Sequence, residues 1–147
     1  MSKNIRGYLL AAIVIMLSNA LGFLVLFLSK KYLFQTVSFK ENLGGLGSSL
    51  VTYSTAMMAL LIAMVVVLFG MDGPRLASFK KSGYLHSTYL IYMATFFELG
   101  VTMALSLLCL SNIESIKVAS YSLTFALITF LLIGYLGMQL LNIKKNN

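Results

Sequence analysis

Charge is the scarcest property of this sequence: only 10% of its 147 residues are charged, and the acidic residues number four. Hydrophobic residues make up 59% of the chain. A water-soluble domain of this length has too much surface to cover with so few charged side chains. The composition therefore excludes an ordinary soluble domain. The net charge of +7 is not carried by a soluble basic domain, so we predict no direct contact with nucleic acid.

The residues that carry metal, redox or nucleophilic chemistry are also scarce, with one cysteine and one histidine in the chain. Cys109 alone cannot form an internal disulfide or a Cys-x-x-Cys site, and we interpret it as a small apolar residue near a helix end. His86 lies at the predicted end of a helix, where an interfacial residue is commoner than a metal ligand. We therefore predict that the protein is not an enzyme and binds no metal or cofactor.

The hydrophobic residues are concentrated in four blocks, at about 8–28, 49–69, 84–110 and 117–141. A helix of about 20 residues crosses the ~30 Å hydrocarbon core of a bilayer at ~1.5 Å per residue. The first block is too long for the apolar region of a cleaved signal peptide, so we expect it to be retained. We predict an all-α integral membrane protein in which residues 1–147 form a single domain of four transmembrane helices.

A glycine-rich segment, GGLGSS at 44–49, precedes the second block. It contains no lysine that would suggest a phosphate-binding loop. We expect a flexible turn that ends where Ser48 or Ser49 caps the following helix.

Lysine and arginine are divided unevenly between the predicted loops, and their distribution indicates how the helices are oriented. Seven lie in the two tails and the loop at 71–83, and four lie in the other two loops. We therefore predict that both termini and residues 71–83 are cytoplasmic. Three cations in that loop either anchor the chain at anionic lipid or dock a cytoplasmic partner: Arg75, Lys80 and Lys81.

The third block contains an acidic residue, Glu98, close to its middle. A charge at that depth costs roughly 2.5–3.5 kcal/mol even on a lenient insertion scale, so it normally faces the protein interior or water. Spacings of three and four residues place three hydroxyl side chains on the same helix face: Thr95, Thr102 and Ser106. We therefore predict a polar face on the third helix.

Two interpretations of this polar face compete. In the first, the hydroxyls join helices for about 0.6–2 kcal/mol each and Glu98 is a protonated or paired packing residue. In the second, Glu98 is functional, because no lysine or arginine in any block can neutralise it. Asn19 of the first block is predicted at nearly the same depth and is a candidate partner. The candidates for an ion path are Glu98, Thr95, Thr102, Ser106 and Asn19.

Four helices alone enclose little space, so a pore is expected between subunits rather than within one. A ring of Glu98 side chains around an oligomer axis would attract cations. We therefore predict a symmetric homo-oligomer, with four subunits as the best estimate. Small residues that allow close helix contact within or between subunits are Gly22, Ala56, Ala59 and Ala63.

Five short segments, in the same order and with nearly the same spacing, resemble the RexB family. They are VSF at 37–39, GLGSSLVTY at 45–53, LLIAMVVVLFG at 60–70, RLASFKKSGY at 75–84 and FFELG at 96–100. The resemblance covers about residues 37–112, whereas the first and fourth blocks match only in hydrophobicity and length. Within it, the FELG element places the intramembrane acid of the family on Glu98.

This resemblance implies a four-span protein of the bacterial inner membrane, described as an ion channel and belonging to the phage-exclusion system of lambdoid prophages. It also implies a cytoplasmic partner, RexA, that senses phage infection. Activation is expected to depolarise the membrane and stop growth before the phage matures, which is abortive infection in the sense of antiviral defence.

A function of another class stays open. The chain is alternatively a non-conducting membrane sensor or scaffold, like the membrane component of the Kiwa defence system. A polar face packed shut by a neighbouring helix would favour this alternative. A solute carrier is disfavoured, because the sequence has no pair of broken helices and no inverted repeat.

Overall fold

The computed structural model describes residues 3–33, 40–70, 84–111 and 115–144. Four long helices make up most of this part of the chain: α1 (Lys3–Leu28), α2 (Leu43–Gly70), α3 (Tyr84–Leu110) and α4 (Ile116–Lys144). Each is long and apolar enough to cross a membrane. The predicted all-α class, with four helices able to span a membrane, is therefore confirmed.

Two short elements adjoin the long helices. A π-helical turn over Ser29–Leu33 continues α1, and a 3-10 turn over Lys40–Asn42 leads into α2. In the π-turn the ammonium group of Lys31 lies 5.3 Å from the centroid of the Tyr32 ring. An aromatic ring and basic side chains at the end of a span are typical of the interface between membrane and water.

The glycine-rich segment at 44–49 is helical, and the prediction of a flexible turn there is wrong. Ser49 donates its hydroxyl to the carbonyl of Gly45 at 2.9 Å, a bond within the helix rather than a cap. Gly47 is buried, and a Cβ at that position would come within 2.8 Å of the Ser106 carbonyl oxygen. Glycine therefore serves close packing of α2 on α3 here, not chain flexibility.

Helices α3 and α4 form an antiparallel pair at the centre of the bundle, and each also packs against α1 and α2. At one end of the pair the hydroxyls of Ser106 and Ser122 are 2.7 Å apart. At the other end Thr88 donates to the side-chain oxygen of Gln139 at 3.1 Å. The two contacts fix the register of α3 against α4 along most of their length.

The two outer helices run in opposite directions relative to α3. The ring centroids of Phe69, at the end of α2, and Tyr89, near the start of α3, are 6.0 Å apart, so α2 and α3 are antiparallel. Tyr8 and His86 meet near the starts of α1 and α3 with centroids 6.4 Å apart, so these two helices are parallel. The start of α1 and the end of α4 consequently lie at the same end of the bundle.

The core and the outer surface are both apolar, as packing inside a bilayer requires. Large side chains from α2, α3 and α4 fill the interior, among them Leu61, Leu68, Ile91, Leu99, Ile128, Leu132 and Leu136. Large exposed side chains cover the outside, among them Met16, Phe27, Phe69, Met93, Phe97, Phe130 and Met138. Because lipid is as apolar as these residues, van der Waals packing and polar contacts must hold the helices together.

Candidate functional site

Glu98 lies near the middle of α3 and points towards α1. The side-chain amide of Asn19 donates to Glu98 Oε1 at 3.0 Å. Glu98 is only 8% exposed, and its second oxygen, Oε2, is buried without a hydrogen-bond partner among the described residues. The structure thus brings Asn19 and Glu98 together and leaves the carboxyl group half satisfied.

The orientation of Asn19 is set by its own helix. Its amide nitrogen also donates to the Ile15 carbonyl oxygen at 3.0 Å, one turn earlier in α1. Both bonds use the same amide nitrogen, which has two hydrogens to donate. The Asn19 side chain therefore joins the backbone of α1 to the carboxyl group on α3.

The three hydroxyl residues of the predicted polar face are completely buried. Each donates to the carbonyl oxygen one turn earlier: Thr95 to Ile91 at 2.6 Å, Thr102 to Glu98 at 2.8 Å, and Ser106 to Thr102 at 2.6 Å. Such bonds within the helix satisfy the hydroxyl donors without water. In this conformation these three hydroxyl groups therefore need neither water nor an ion as a partner.

Helix α4 closes this face at both ends. Ser122 faces Ser106 and also lies 3.4 Å from the Thr102 carbonyl oxygen. At the opposite end Gln139 accepts from Thr88 and donates to the hydroxyl of Tyr135 at 2.8 Å. No open passage is needed to account for these contacts, since each polar group has a protein partner.

Two polar contacts involve residues that the sequence did not single out. Thr88 lies seven residues before Thr95, which lies seven before Thr102, so the helical repeat contains the signal that would have identified it. Tyr53 of α2 donates to the Ala126 carbonyl oxygen at 2.8 Å and lies 3.2 Å from the Thr129 hydroxyl. A tyrosine in an apolar block carries no comparable signal, because its ring alone accounts for its presence there.

Glu98 does not face the outside of the subunit. Helix α1 covers it through Asn19, so α1 stands between the carboxyl group and any neighbouring subunit on that side. A ring of Glu98 side chains around an oligomer axis therefore requires a different position of α1. The roles of these residues in an ion path stay predictions.

The remaining predicted residues are not part of this site. Arg75, Lys80 and Lys81 fall in the segment 71–83, outside the described residues. Within the described ranges, no three His, Cys, Asp or Glu residues are grouped so that they could hold a metal ion. Cys109 is a free, buried thiol in the small cluster that Leu43 and Ala119 complete.

Comparison with known proteins gives two matches. The model of the family described as "RexB: Membrane-anchored ion channel, Abi component" matches residues 9–147. The chain is also 35% identical over 109 residues to "Protein rexB" of Escherichia phage lambda, a match that covers 74% of this chain and 76% of the phage protein. No solved structure matches the chain. The family match extends beyond residues 37–112 and takes in most of α1 and the whole of α4.

Proposed function

Because the chain belongs to the RexB family, we propose that it depolarises the membrane as the triggered effector of a phage-exclusion system of the abortive-infection type. The family is described as a membrane-anchored ion channel and an Abi component. The proposal adds that a cytoplasmic sensor similar to RexA opens the channel and that cations then flow down their gradient. The observation that carries it is the buried pair of Glu98 and Asn19 in the middle of the bundle.

Packing alone does not explain a carboxyl group at position 98. A glutamine would accept the same hydrogen bond from Asn19 without a charge to remove from water. A charge at this depth costs roughly 2.5–3.5 kcal/mol, and the single neutral partner offsets little of it. An ionised carboxyl group at that cost is better explained by contact with a cation at some stage of the protein's working cycle.

The other residues of the polar face would line the path once it opens. Thr95, Thr102 and Ser106 are buried on the same face of α3 as Glu98, and Ser122 of α4 now contacts Ser106. Their hydroxyl oxygens, together with the carbonyl oxygens they now bond, resemble the ligands that replace ion hydration in selective pores. Glu98 would then set the preference for cations.

A homo-oligomer, with four subunits as the best estimate, would provide the perimeter that one bundle lacks. The outer face of α2 suits subunit contact, because exposed small residues recur on it every seven positions. They form two rows, Gly45–Thr52–Ala59 and Ser49–Ala56–Ala63. Small residues in this pattern let two helices approach closely in a membrane. Gly22, by contrast, is buried against Ile128 and serves contact within the subunit.

The location and orientation follow the charge distribution. We place the protein in the bacterial inner membrane with both termini and residues 71–83 in the cytoplasm. Arg75, Lys80 and Lys81 would then face the cytoplasm, where the RexA-like sensor is expected to dock. The shared end of α1 and α4 in the bundle supports termini on the same side.

A non-conducting sensor or scaffold is the second candidate, and one observation favours it: the polar face is packed shut within one chain. Potassium efflux from liposomes that contain the purified protein separates the two, with and without the cytoplasmic partner. Partner-dependent efflux supports the channel. A protein that binds its partner yet never releases potassium would support the scaffold.

A further inference from the structure

The position of α1 suggests how conduction is controlled. Resting on the proposed channel function, we infer that α1 is the gate of the resting protein and that the Asn19–Glu98 bond is the latch that keeps it closed. Opening is a shift of α1 away from α3, which uncovers Glu98.

The inner face of α1 carries small side chains, so this helix can shift with little repacking of its neighbours. Among its described side chains, the four buried ones are all small: Gly7, Ala11, Ser18 and Gly22. Two larger residues, Val14 and Ile15, are only partly buried against the core. The buried positions of α2 include four leucines instead: Leu43, Leu50, Leu61 and Leu68. Large interlocked side chains resist displacement because they must repack, whereas a face of small residues has few to repack. Helix α1 is thus the span that moves with least disturbance of the core.

The hydrogen bonds between helices also hold α1 less firmly than they hold α4. Helix α4 is bonded to α2 through Tyr53, and to α3 at both ends, through Ser122 and Gln139. Helix α1 is tied to α3 at mid-height by the bond from Asn19 to Glu98. A shift of α1 therefore uncovers Glu98 first and leaves the three other helices joined to one another. Lining of the path by Ser106 requires α4 to move as well.

The Asn19–Glu98 bond satisfies only part of the carboxyl group, which favours the release of α1. Glu98 Oε2 is buried with no hydrogen-bond partner in the described part of the chain, so the closed state satisfies only one carboxyl oxygen. A buried polar atom without a partner destabilises the state that buries it. When α1 moves, both oxygens gain access to water or a cation. Among the polar contacts of the described residues, one bond therefore holds α1 in the closed position, and one unsatisfied oxygen opposes it.

A reversible cross-link tests whether α1 must move. Cysteines replace Tyr8 and His86, whose rings meet between α1 and α3, in a Cys109→Ser background. A short bis-methanethiosulfonate reagent joins them, and reduction removes the link. The matched control joins α2 to α3 through cysteines at Phe69 and Tyr89. Potassium efflux from liposomes is measured with the partner present, before and after reduction.

We expect the α1–α3 link to abolish efflux and reduction to restore it, while the α2–α3 control conducts in both states. A fully linked α1–α3 protein that conducts as well as the reduced one overturns the gate and leaves the channel function standing. If the reduced protein does not conduct either, the channel function itself fails, and the gate fails with it.

A second pair of variants tests the latch. Asn19→Leu removes the bond to Glu98, and Gln139→Leu removes a cross-helix bond between α3 and α4 that does not involve α1. We expect Asn19→Leu to raise efflux without the partner by roughly three- to twentyfold, the range that one such bond is worth in a membrane. Gln139→Leu should leave it unchanged. Unchanged or lower efflux from correctly assembled Asn19→Leu protein contradicts the latch, and if that variant does not assemble, the cross-link decides.

Discussion

At the scale of single residues, the pair formed by Asn19 and Glu98 combines a structural contact with an unusual electrostatic cost. The contact joins two helices, and any residue able to accept from Asn19 would maintain it. The charge brings nothing to packing and is costly in hydrocarbon. The two contributions are separable, because Glu98→Gln removes only the charge, whereas Glu98→Ala removes the whole contact.

Substitution of Glu98 by alanine and by glutamine should therefore affect stability differently. Glu98→Ala leaves the Asn19 amide without its partner across the helix interface and opens a cavity, which should destabilise the fold by about 1–3 kcal/mol. Glu98→Gln keeps the bond and should be as stable as the wild type or slightly more stable. Unfolding in mild detergent by a titration with denaturing detergent measures both. Equal stability of the two variants would mean that the bond to Asn19 contributes nothing.

A second prediction concerns the closest approach of α1 to α4. Gly22→Ala puts a Cβ into the space of the Ile128 side chain and should cost about 1–3 kcal/mol of stability through overpacking. Gly100→Ala is the matched control, because nothing in the described part of the chain lies within 4 Å of the added Cβ. The control should be neutral or gain up to about 1 kcal/mol from helix propensity. The same detergent titration applies, and a Gly22→Ala variant as stable as the control would refute the close contact.

Sequence reasoning reached some of these residues and not others for a physical reason. An acid inside a hydrophobic block is conspicuous because of its cost, and depth along the helices then predicts Asn19 as its partner. Tyr53 is inconspicuous, because aromatic rings are common in any span. Thr88 follows the seven-residue spacing of Thr95 and Thr102, but that spacing does not name its partner on α4. Which partner each finds depends on helix rotation, and hydrophobicity alone does not specify rotation.

At the scale of helices and loops, length and apolar composition identified all four spans, since each block must cover the thickness of a bilayer. The start of α2 was placed too late, at about Ser49 instead of Leu43. Three glycines there suggested a turn, yet Gly47 packs closely against Ser106 and Cys109 of α3, and such packing favours glycine just as strongly. Local propensity and tertiary packing give opposite predictions for the same residues, and packing decides.

At the scale of helices and loops, we predict the effect of reversing charge in the loop at 71–83. Changing Lys80 and Lys81 to glutamate removes positive charge from the side predicted to be cytoplasmic. If the loop docks the sensor, insertion is unchanged and the partner no longer triggers conduction. A C-terminal alkaline phosphatase fusion reports insertion and should be inactive in the wild type and in this variant.

Two other outcomes of the loop experiment are informative. An active fusion in the variant alone would show that Lys80 and Lys81 serve only to orient the spans. An active fusion in the wild type would contradict the predicted topology of both termini.

At the scale of the whole molecule, the bundle is closed and its outer surface is uneven. Most of that surface carries large apolar side chains suited to lipid, whereas the outer face of α2 carries the two rows of small residues. We expect this face to join subunits. Ala59→Leu should reduce the size of the oligomer measured by mass spectrometry from mild detergent, because a larger side chain keeps the helices apart.

The control for this substitution is Ala104→Leu, which changes an exposed alanine on α3 away from the rows. Oligomer size should be unaffected by it. A wild-type protein that is a monomer in detergent and in lipid would contradict the oligomer, and it would count against conduction between subunits.

The central claim is that the charge of Glu98 acts on permeating cations. Wild-type and Glu98→Gln proteins, purified and reconstituted at equal density in liposomes loaded with potassium chloride, are compared for potassium efflux in the presence of the partner. Glutamine keeps the bond to Asn19 and the shape of the site, so the account predicts normal assembly and a large loss of efflux. A Glu98→Gln protein that assembles normally and releases potassium as fast as the wild type would contradict it and leave Glu98 with a packing role.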